Sequence, residues 1–237
     1  MPADPSPRRN QFGQPIGDPV GDIAARRPEA VALPGRTCRL DPLRVEDAAD
    51  LLAALQAGAG DEQWTYLPYG PCASTAELAT VIEGLRADPD VLPFAIRTPD
   101  GAAVGMASLL RINPAIGTIE VGHILYGAGA RRAAPATEAM YLLARYVVED
   151  LGYRRYEWKC DALNAPSRAA AQRLGFTFEG VWRKALAYKG RNRDTAWYAM
   201  TDDDWARLRP AYEDWLAGLD TDGHQAAPLR VRAGRTP

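Results

Sequence analysis

A chain of 237 residues, 47% hydrophobic and 24% charged, is long enough to bury a core in one large domain or two small ones. Twenty-eight Lys and Arg against 30 Asp and Glu leave a formal charge of −2, so composition gives no case for a protein that coats nucleic acid. No apolar run approaches the ~20 residues of a membrane helix. Cys38, Cys72 and Cys160 are odd in number and form no CxxC pair, and only His123 and His224 could offer imidazole to a metal, so neither a disulfide scaffold nor a metal site is expected. Reduced thiols and a start, Met1-Pro2-Ala3-Asp4-Pro5, without the charged-then-apolar pattern of a signal peptide predict a cytoplasmic location.

Residues 1–35 read as a proline-rich arm, where Pro5, Pro15, Pro19, Pro28 and Pro34, with Gly13, Gly17 and Gly21 between them, predict neither helix nor ladder hydrogen bonds. Arg36–Leu43 alternates as a strand, and Glu46–Ala57 has helical spacing at Leu51, Leu52 and Leu55. Ser74 and Glu77 form a capping box at the head of a helix running to about Ala87. Val91–Thr98, Ala103–Ile112 and Thr118–Tyr126 read as strands of an antiparallel meander, with turns at Pro99–Gly101 and Asn113–Gly117. A small-residue, basic loop, Gly127–Ala134, leads into a long amphipathic helix from Pro135, with Ala136, Met140, Leu143, Val147 and Leu151 on one stripe and Gly152 ending it. Arg155–Asp161 is a strand and Ser167–Leu174 a short helix. Val181–Tyr188 and Thr195–Thr201 are strands about the turn Lys189–Asn192, and Asp202–Leu219 is a closing helix with Trp205, Leu208, Tyr212 and Trp215. Residues 220–237 read as a polar tail ending in Arg230, Arg232 and Arg235.

The expected fold class is therefore mixed α/β, one domain over 36–219 between two tails. Strand Thr118–Tyr126, the long helix and strand Arg155–Asp161 make a βαβ unit inside otherwise antiparallel sheet, and a ligand belongs at the carboxyl ends of those strands. The junction Arg131-Arg132-Ala133-Ala134-Pro135-Ala136-Thr137 suits an anion, because N–H groups at a helix start point outward, the helix dipole adds positive charge and two arginines stand alongside. An ordinary alanine-rich loop with two solvated arginines is the alternative, and Pro135 removes one donor.

Motifs then accumulate in order. Arg131-x-x-Ala134-x-Ala136 lies between strand and helix. Asn164-x-x-Ser167, Leu174-Gly175-Phe176, Glu179-Gly180 and Arg183 follow, then Lys189-Gly190 with Arg193-Asp194, a strand and Trp205. With these the chain resembles the GCN5-related N-acetyltransferases (GNAT), in the branch that acetylates ribosomal-protein N-termini and related amines (RimJ/RimL-like), over roughly Arg36–Leu219. The resemblance implies a mostly antiparallel sheet splayed around a central βαβ acetyl-CoA site. It implies transfer of acetyl from acetyl-CoA to an amine acceptor, a peptide or a small molecule, with backbone of Leu125 and Tyr126 facing the pantetheine and thioester. Arg131, Arg132, Ala133, Ala134, Ala136 and Thr137 would hold the pyrophosphate, although alanine at 134 stands where the family's first glycine is usual. A non-catalytic acyl-CoA-binding module and an aminoglycoside acetyltransferase are the competing readings, and the arm offers a route to a second copy in a homodimer.

Such chemistry needs a base for the incoming ammonium and an acid for the leaving thiolate. Glu120, eleven residues before Arg131, is the first candidate base, because desolvation raises a carboxyl in a sheet-lined cleft. A structural glutamate bonded to a neighbouring strand is the alternative. His123 is the second candidate, on the opposite face of the strand if pairing is regular and movable by a bulge, with a packing role as its alternative. Ser167 fits the branch's proposed acid and would equally be an N-cap. The position four before Gly175, where many relatives carry tyrosine, is Ala171, and the branch's glutamate nineteen residues after the serine is Leu186 here. Asn164 fixes the loop, caps it or contacts pantetheine. Trp64, Tyr66, Tyr69, Trp158, Trp182 and Tyr188 are candidates for an acceptor groove, the loop Asp61–Pro71 above all. Cys160 shares a strand face with Tyr156 and Trp158, which predicts a buried, inert thiol.

Overall fold

The computed structural model describes residues 8–57, 60–221, 223–225 and 227–231. Within the arm, β1 (Arg8–Arg9) and β2 (Pro15–Ile16) pair as a small hairpin, and β3 (Leu33–Pro34) pairs with β4 (Arg39–Pro42). The arm thus makes ladder bonds where its prolines predicted none. Pro34 is tolerated because β3 is an edge strand, where a missing N–H faces no partner. The arm also returns to its own domain, with the Arg26 N–H donating to the Leu151 carbonyl at 2.9 Å and the Glu29 N–H to the Tyr146 hydroxyl at 3.0 Å.

After β4 come α1 (Ala48–Gln56), entered through a short 3-10 turn, and α2 (Thr75–Ala87), whose Ser74 side chain accepts from the Glu77 N–H as the capping box requires. The meander follows as β5 (Val91–Arg97), β6 (Ala103–Asn113) and β7 (Thr118–Tyr126). Next are α3 (Ala134–Arg145), prolonged by a π turn over Tyr146–Asp150, β8 (Arg155–Asp161) and α4 (Ala165–Arg173). The chain closes with β9 (Thr177–Tyr188), β10 (Arg191–Thr201) and α5 (Asp202–Ala217). Both strands of this hairpin start earlier than the alternation suggested, at Thr177 and Arg191, because register shifts between Arg193 and Thr195 and between Trp197 and Tyr198 interrupt the pattern that marks a strand.

The main sheet has eight strands in the order β3-β4-β5-β6-β7-β8-β10-β9, and only β7 and β8 run parallel. This is the expected mixed, mostly antiparallel GNAT-type sheet. Helices α1 and α2 bury Leu51, Leu55, Leu78 and Ile82 against Ala95, Met106 and Leu125 on one face. On the other face α3 is buried on nearly every side rather than along one stripe, since α5 covers the surface that the sheet does not. Tyr141 of α3 meets Trp205 and Tyr212 of α5 with ring centroids 5.7 and 5.8 Å apart. Burying such aromatics contributes roughly 1.5–3 kcal/mol apiece, enough to dock α5 firmly. Gly175, at φ +90°, ends α4 where a Cβ would come within 2.7 Å of Leu208.

Beyond α5 the described residues pack back onto the domain where a tail was expected. Leu229 is buried in the main core and the Trp215 indole donates to the Ala227 carbonyl at 2.9 Å, while Arg232 and Arg235 lie outside the described residues.

Candidate active site

Strands β7 and β8 pair in register from Thr118 with Arg155 to Val121 with Trp158, and the ladder ends there. Beyond that point β7 continues through Gly122–Tyr126 beside β6, while Lys159, Cys160 and Asp161 of β8 pair only with β10. The two strands splay, and one edge of each is left without a sheet partner. Backbone groups of such an edge must find water or a ligand. Leu125 and Tyr126 stand on the β7 side of this slot.

The mouth of the slot leads to the first turn of α3. The Gly127 N–H donates to the Val104 carbonyl at 2.8 Å and the Ala128 N–H to Ala54 of α1 at 3.1 Å, which pins the start of the loop. Gly127 has no substitute, since a Cβ would come within 2.7 Å of Ala54. Arg132 adopts φ 61°, turning the loop so that Ala133 becomes the N-cap of α3, one residue earlier than expected. The first turn then presents the N–H groups of Ala134 and Ala136, Pro135 having none. Arg131 and Arg132 are exposed beside it. Thr137 is already occupied: its hydroxyl accepts from Arg173 at 3.1 Å, so it positions a guanidinium next to the helix start. Arg173 was missed in the sequence because it stands last in α4, and only the tertiary fold brings it to α3. The Tyr126 hydroxyl donates to the Ala136 carbonyl at 3.3 Å, tying the end of β7 to the same turn. Small side chains, a helix start and three arginines fit a diphosphate.

On the face covered by α1 and α2, β7 carries both candidate bases. Ser108 pairs with Gly122 and Met106 with Leu125, so β7 spends His123 and Ile124 where β6 spends Ala107 alone. His123 has φ 50° within this bulge. The extra residue shifts the alternation, so Leu125 joins the α1–α2 core although Ile119 and Val121 face α3. His123 turns toward Tyr69 of the loop after α1, with Nδ1 3.2 Å from the Tyr69 hydroxyl. It therefore stands on the same side as Glu120, not the opposite side that regular pairing predicted. Burial pushes the His123 imidazole below its usual range, leaving it neutral near pH 7.

Glu120 sits in an alternating chain of charges. Its Oε2 is 2.9 Å from both Arg111 Nε and Lys159 Nζ, and Lys159 reaches Glu157 at 2.7 Å. Lys159 is only 6% exposed and lies 3.7 Å from the centre of the Trp197 ring. Burial raises the Glu120 carboxyl against the pull of Lys159 and Arg111. At Glu157 burial also pushes upward, but bonds from Lys159 and Arg155 outweigh it and hold the group below the carboxylate range.

Ser167 lies on the other side of β8. Asn164 is the N-cap of α4 and accepts the Ser167 N–H at 3.1 Å, so Ser167 is not the cap. Its hydroxyl accepts from the Trp158 indole at 3.0 Å and turns its own proton toward the sulfur of Cys160, so it donates to sulfur already. Burial raises the Cys160 thiol beside it, as expected of an inert cysteine. Of the aromatic candidates, Trp64 is buried, Tyr66 donates to the Leu163 carbonyl at 3.1 Å, and Tyr188 donates to Asp161 at 2.8 Å. The hairpin tip closes on the loop after α1, with Lys189 donating to the Trp64 carbonyl at 2.8 Å and Arg191 to that of Thr65 at 2.9 Å.

Residues 38–177 match the family model described as an acetyltransferase (GNAT) domain. A solved GCN5-related N-acetyltransferase from Brucella melitensis is 40% identical, over 87% of this chain and 95% of that one, with a TM-score of 0.82. A Bacillus subtilis (strain 168) protein named "Putative ribosomal N-acetyltransferase YdaF" is 26% identical, over 70% of this chain and 90% of its own length. A structure of RimL, a ribosomal L7/L12 alpha-N-protein acetyltransferase, shares the fold at 20% identity and a TM-score of 0.61, covering 72% of this chain and 94% of that one.

Proposed function

The chain belongs to the GNAT acetyltransferase family, in its RimJ/RimL-like branch, and we propose that it is an N-acetyltransferase that uses acetyl-CoA to acetylate a primary amine, a protein N-terminus or a small-molecule amine. The observation that carries this reading is the splay of β7 from β8 beyond Val121 and Trp158, leading to the first turn of α3. Acetyl-CoA supplies the activated acyl group and a thiolate leaving group. The N–H groups of Ala134 and Ala136, with Arg131, Arg132 and Arg173, would hold the diphosphate, and the free edge of β7 near Leu125 and Tyr126 would orient the pantetheine.

His123 serves as the base, directly or through one water. Burial keeps its ring neutral, and donation from Nδ1 to the Tyr69 oxygen leaves a lone pair on Nε2 to take the ammonium proton. Glu120 is less suited, because its carboxylate is engaged by Arg111 and Lys159. It positions β8 against β7 at the point where they part. Ser167, receiving its hydrogen bond from Trp158, gives its own proton to the departing sulfur.

The test is purified protein with acetyl-CoA and a panel of free-N-terminus peptides, amino acids, polyamines and aminoglycosides. The expected result is free thiol released in step with one acetylated amine. Binding of CoA with no release from any amine would leave the acyl-CoA-binding module instead. Lys189 and Arg191 at the entrance already disfavour a polycationic aminoglycoside.

A further inference from the structure

The hairpin of β9 and β10 carries an excess of cations, with Asp194 offsetting part of the charge of Arg183 and Lys184. Between Val181 and Asp194 stand Arg183, Lys184, Lys189, Arg191 and Arg193 against one carboxylate, Asp194, in a chain whose formal charge is −2. The Asp194 carboxylate accepts the Lys184 N–H at 2.7 Å and the Asn192 amide at 2.9 Å, and among the described residues none of the five cations makes an ion pair with a carboxylate. Arg183, Lys184, Lys189 and Arg191 are exposed. Burial, and after it the like charge of Arg191, push the Lys189 ammonium downward.

An apolar anchor stands among them. Trp182 is 59% exposed although it stacks on Trp197 with ring centroids 4.1 Å apart, and Val181 and Leu186 are exposed on the same strand. β9 is also the outer strand of the sheet, so its free edge can accept a further extended segment. A second copy of this chain pairing edge to edge would bring Arg183 and Lys184 against their own equivalents, and like charges oppose that. A negatively charged partner meets no such barrier. An exposed Trp beside Arg is a pairing enriched in protein-binding patches, and Lys184 adds positive charge next to it.

We propose that this hairpin docks an acidic segment of a polypeptide acceptor, held by Arg183 and Lys184 around Trp182, while the acceptor amine enters past Tyr69 and His123. The tip of the hairpin already touches the loop that carries Tyr69, so one extended chain can span both places. The inference rests on the acetyltransferase reading above and narrows its acceptor to an acidic polypeptide.

Binding and turnover test it separately. The probes are two short peptides with the same free N-terminus, one continuing in glutamates and the other in glutamines, labelled at the C-terminus for fluorescence anisotropy in the presence of CoA. The glutamate peptide is expected to bind roughly tenfold tighter or more, with the preference fading at high salt. The Arg183→Glu/Lys184→Glu variant is expected to lose that preference while binding CoA as the parent does, and Trp182→Ala to weaken both peptides. Equal binding of the two peptides, or a preference that survives the charge reversal, overturns the docking site. Tighter binding of a single-stranded RNA oligonucleotide than of the glutamate peptide, lost in the same variant, overturns it in favour of nucleic acid. Absence of acetylation from every amine, with the peptide preference intact, would instead remove the enzyme reading and leave the docking surface.

Discussion

The Tyr69 hydroxyl lies 3.2 Å from Nδ1 of His123, and the two rings stack with centroids 5.6 Å apart. A loop residue and a bulge residue, 54 positions apart in the chain, thus fix one imidazole at the edge of the slot. Because burial lowers the pKa of His123 from 6.5, the acid limb of kcat/KM should fall below pH 6.5. His123→Gln should abolish that limb and lower kcat on the order of 10²-fold. Tyr69→Phe keeps the stacking and removes the acceptor of the Nδ1 proton, so kcat should drop roughly five- to tenfold with little change in CoA binding. An acid limb that persists in His123→Gln would remove the histidine from proton transfer.

The same depression links to stability. The unfolded chain takes up a proton near pH 6.5 where the folded chain does not, so the contribution of neutral His123 is complete above that pH and declines as pH falls through the lowered value. His123→Gln should therefore flatten the dependence of Tm on pH just below 6.5. Thermal unfolding of both proteins across that range checks it.

Much of this geometry was legible in the chain. Alternation marked the meander, the βαβ order announced a parallel pair inside antiparallel sheet, and the capping box at Ser74 set the start of α2. The side on which His123 stands was not legible, because one extra residue opposite Ala107 reverses the alternation and a bulge leaves no mark in hydropathy. Nor was the charge chain at Glu120, whose partners Arg111 and Lys159 come from strands on either side of β7. The last stretch of chain read as a tail because Leu229, its one buried side chain among the described residues, stands among prolines, glycines and arginines without periodicity. Nor was the role of Glu138 legible, a carboxylate inside an apolar helix that receives the N–H groups of Arg36, Thr37 and Cys38, 100 to 102 positions earlier in the chain.

Glu138 is thus the anchor that joins α3 to the start of β4. Its oxygens lie 2.6 Å from the Arg36 and Thr37 nitrogens and 3.1 Å from that of Cys38. Glu138→Ala would strand three N–H groups in a buried place, and should cost about 3 kcal/mol or more. Glu138→Gln retains one acceptor oxygen and should cost less. Denaturant unfolding of the two variants separates them, and equal losses would show that packing rather than the hydrogen bonds is responsible.

Ser167→Ala removes the proposed proton donor and leaves the Trp158 indole without its acceptor. Turnover should fall on the order of 10²-fold while CoA binding, measured by calorimetry, stays close to that of the parent. Weaker CoA binding with intact turnover would make Ser167 a contact to the cofactor instead. Arg173→Ala is the complementary case, since its guanidinium stands at the start of α3 through Thr137. It should weaken CoA binding and leave the pH profile of turnover in place.

Lys159→Met isolates the role of Glu120. Lys159 is 6% exposed between Glu120 and Glu157, so its loss leaves two carboxylates facing each other with Arg111 and Arg155 as the remaining cations. Breaking a buried pair from one side costs roughly 3–5 kcal/mol. The penalty should depend on pH in a definite direction. Burial already raises the folded Glu120 carboxyl above 4.5, and without Lys159 it rises further. A group raised in the folded state stabilises below its unfolded pKa, and that contribution disappears as pH climbs through the folded value. The variant should therefore lie closest to the parent near pH 5, where Glu120 can accept a proton, and fall furthest behind near pH 8. Unfolding curves at the two pH values decide it, and a gap independent of pH would mean that the loss comes from the Trp197 contact and not from the stranded carboxylate.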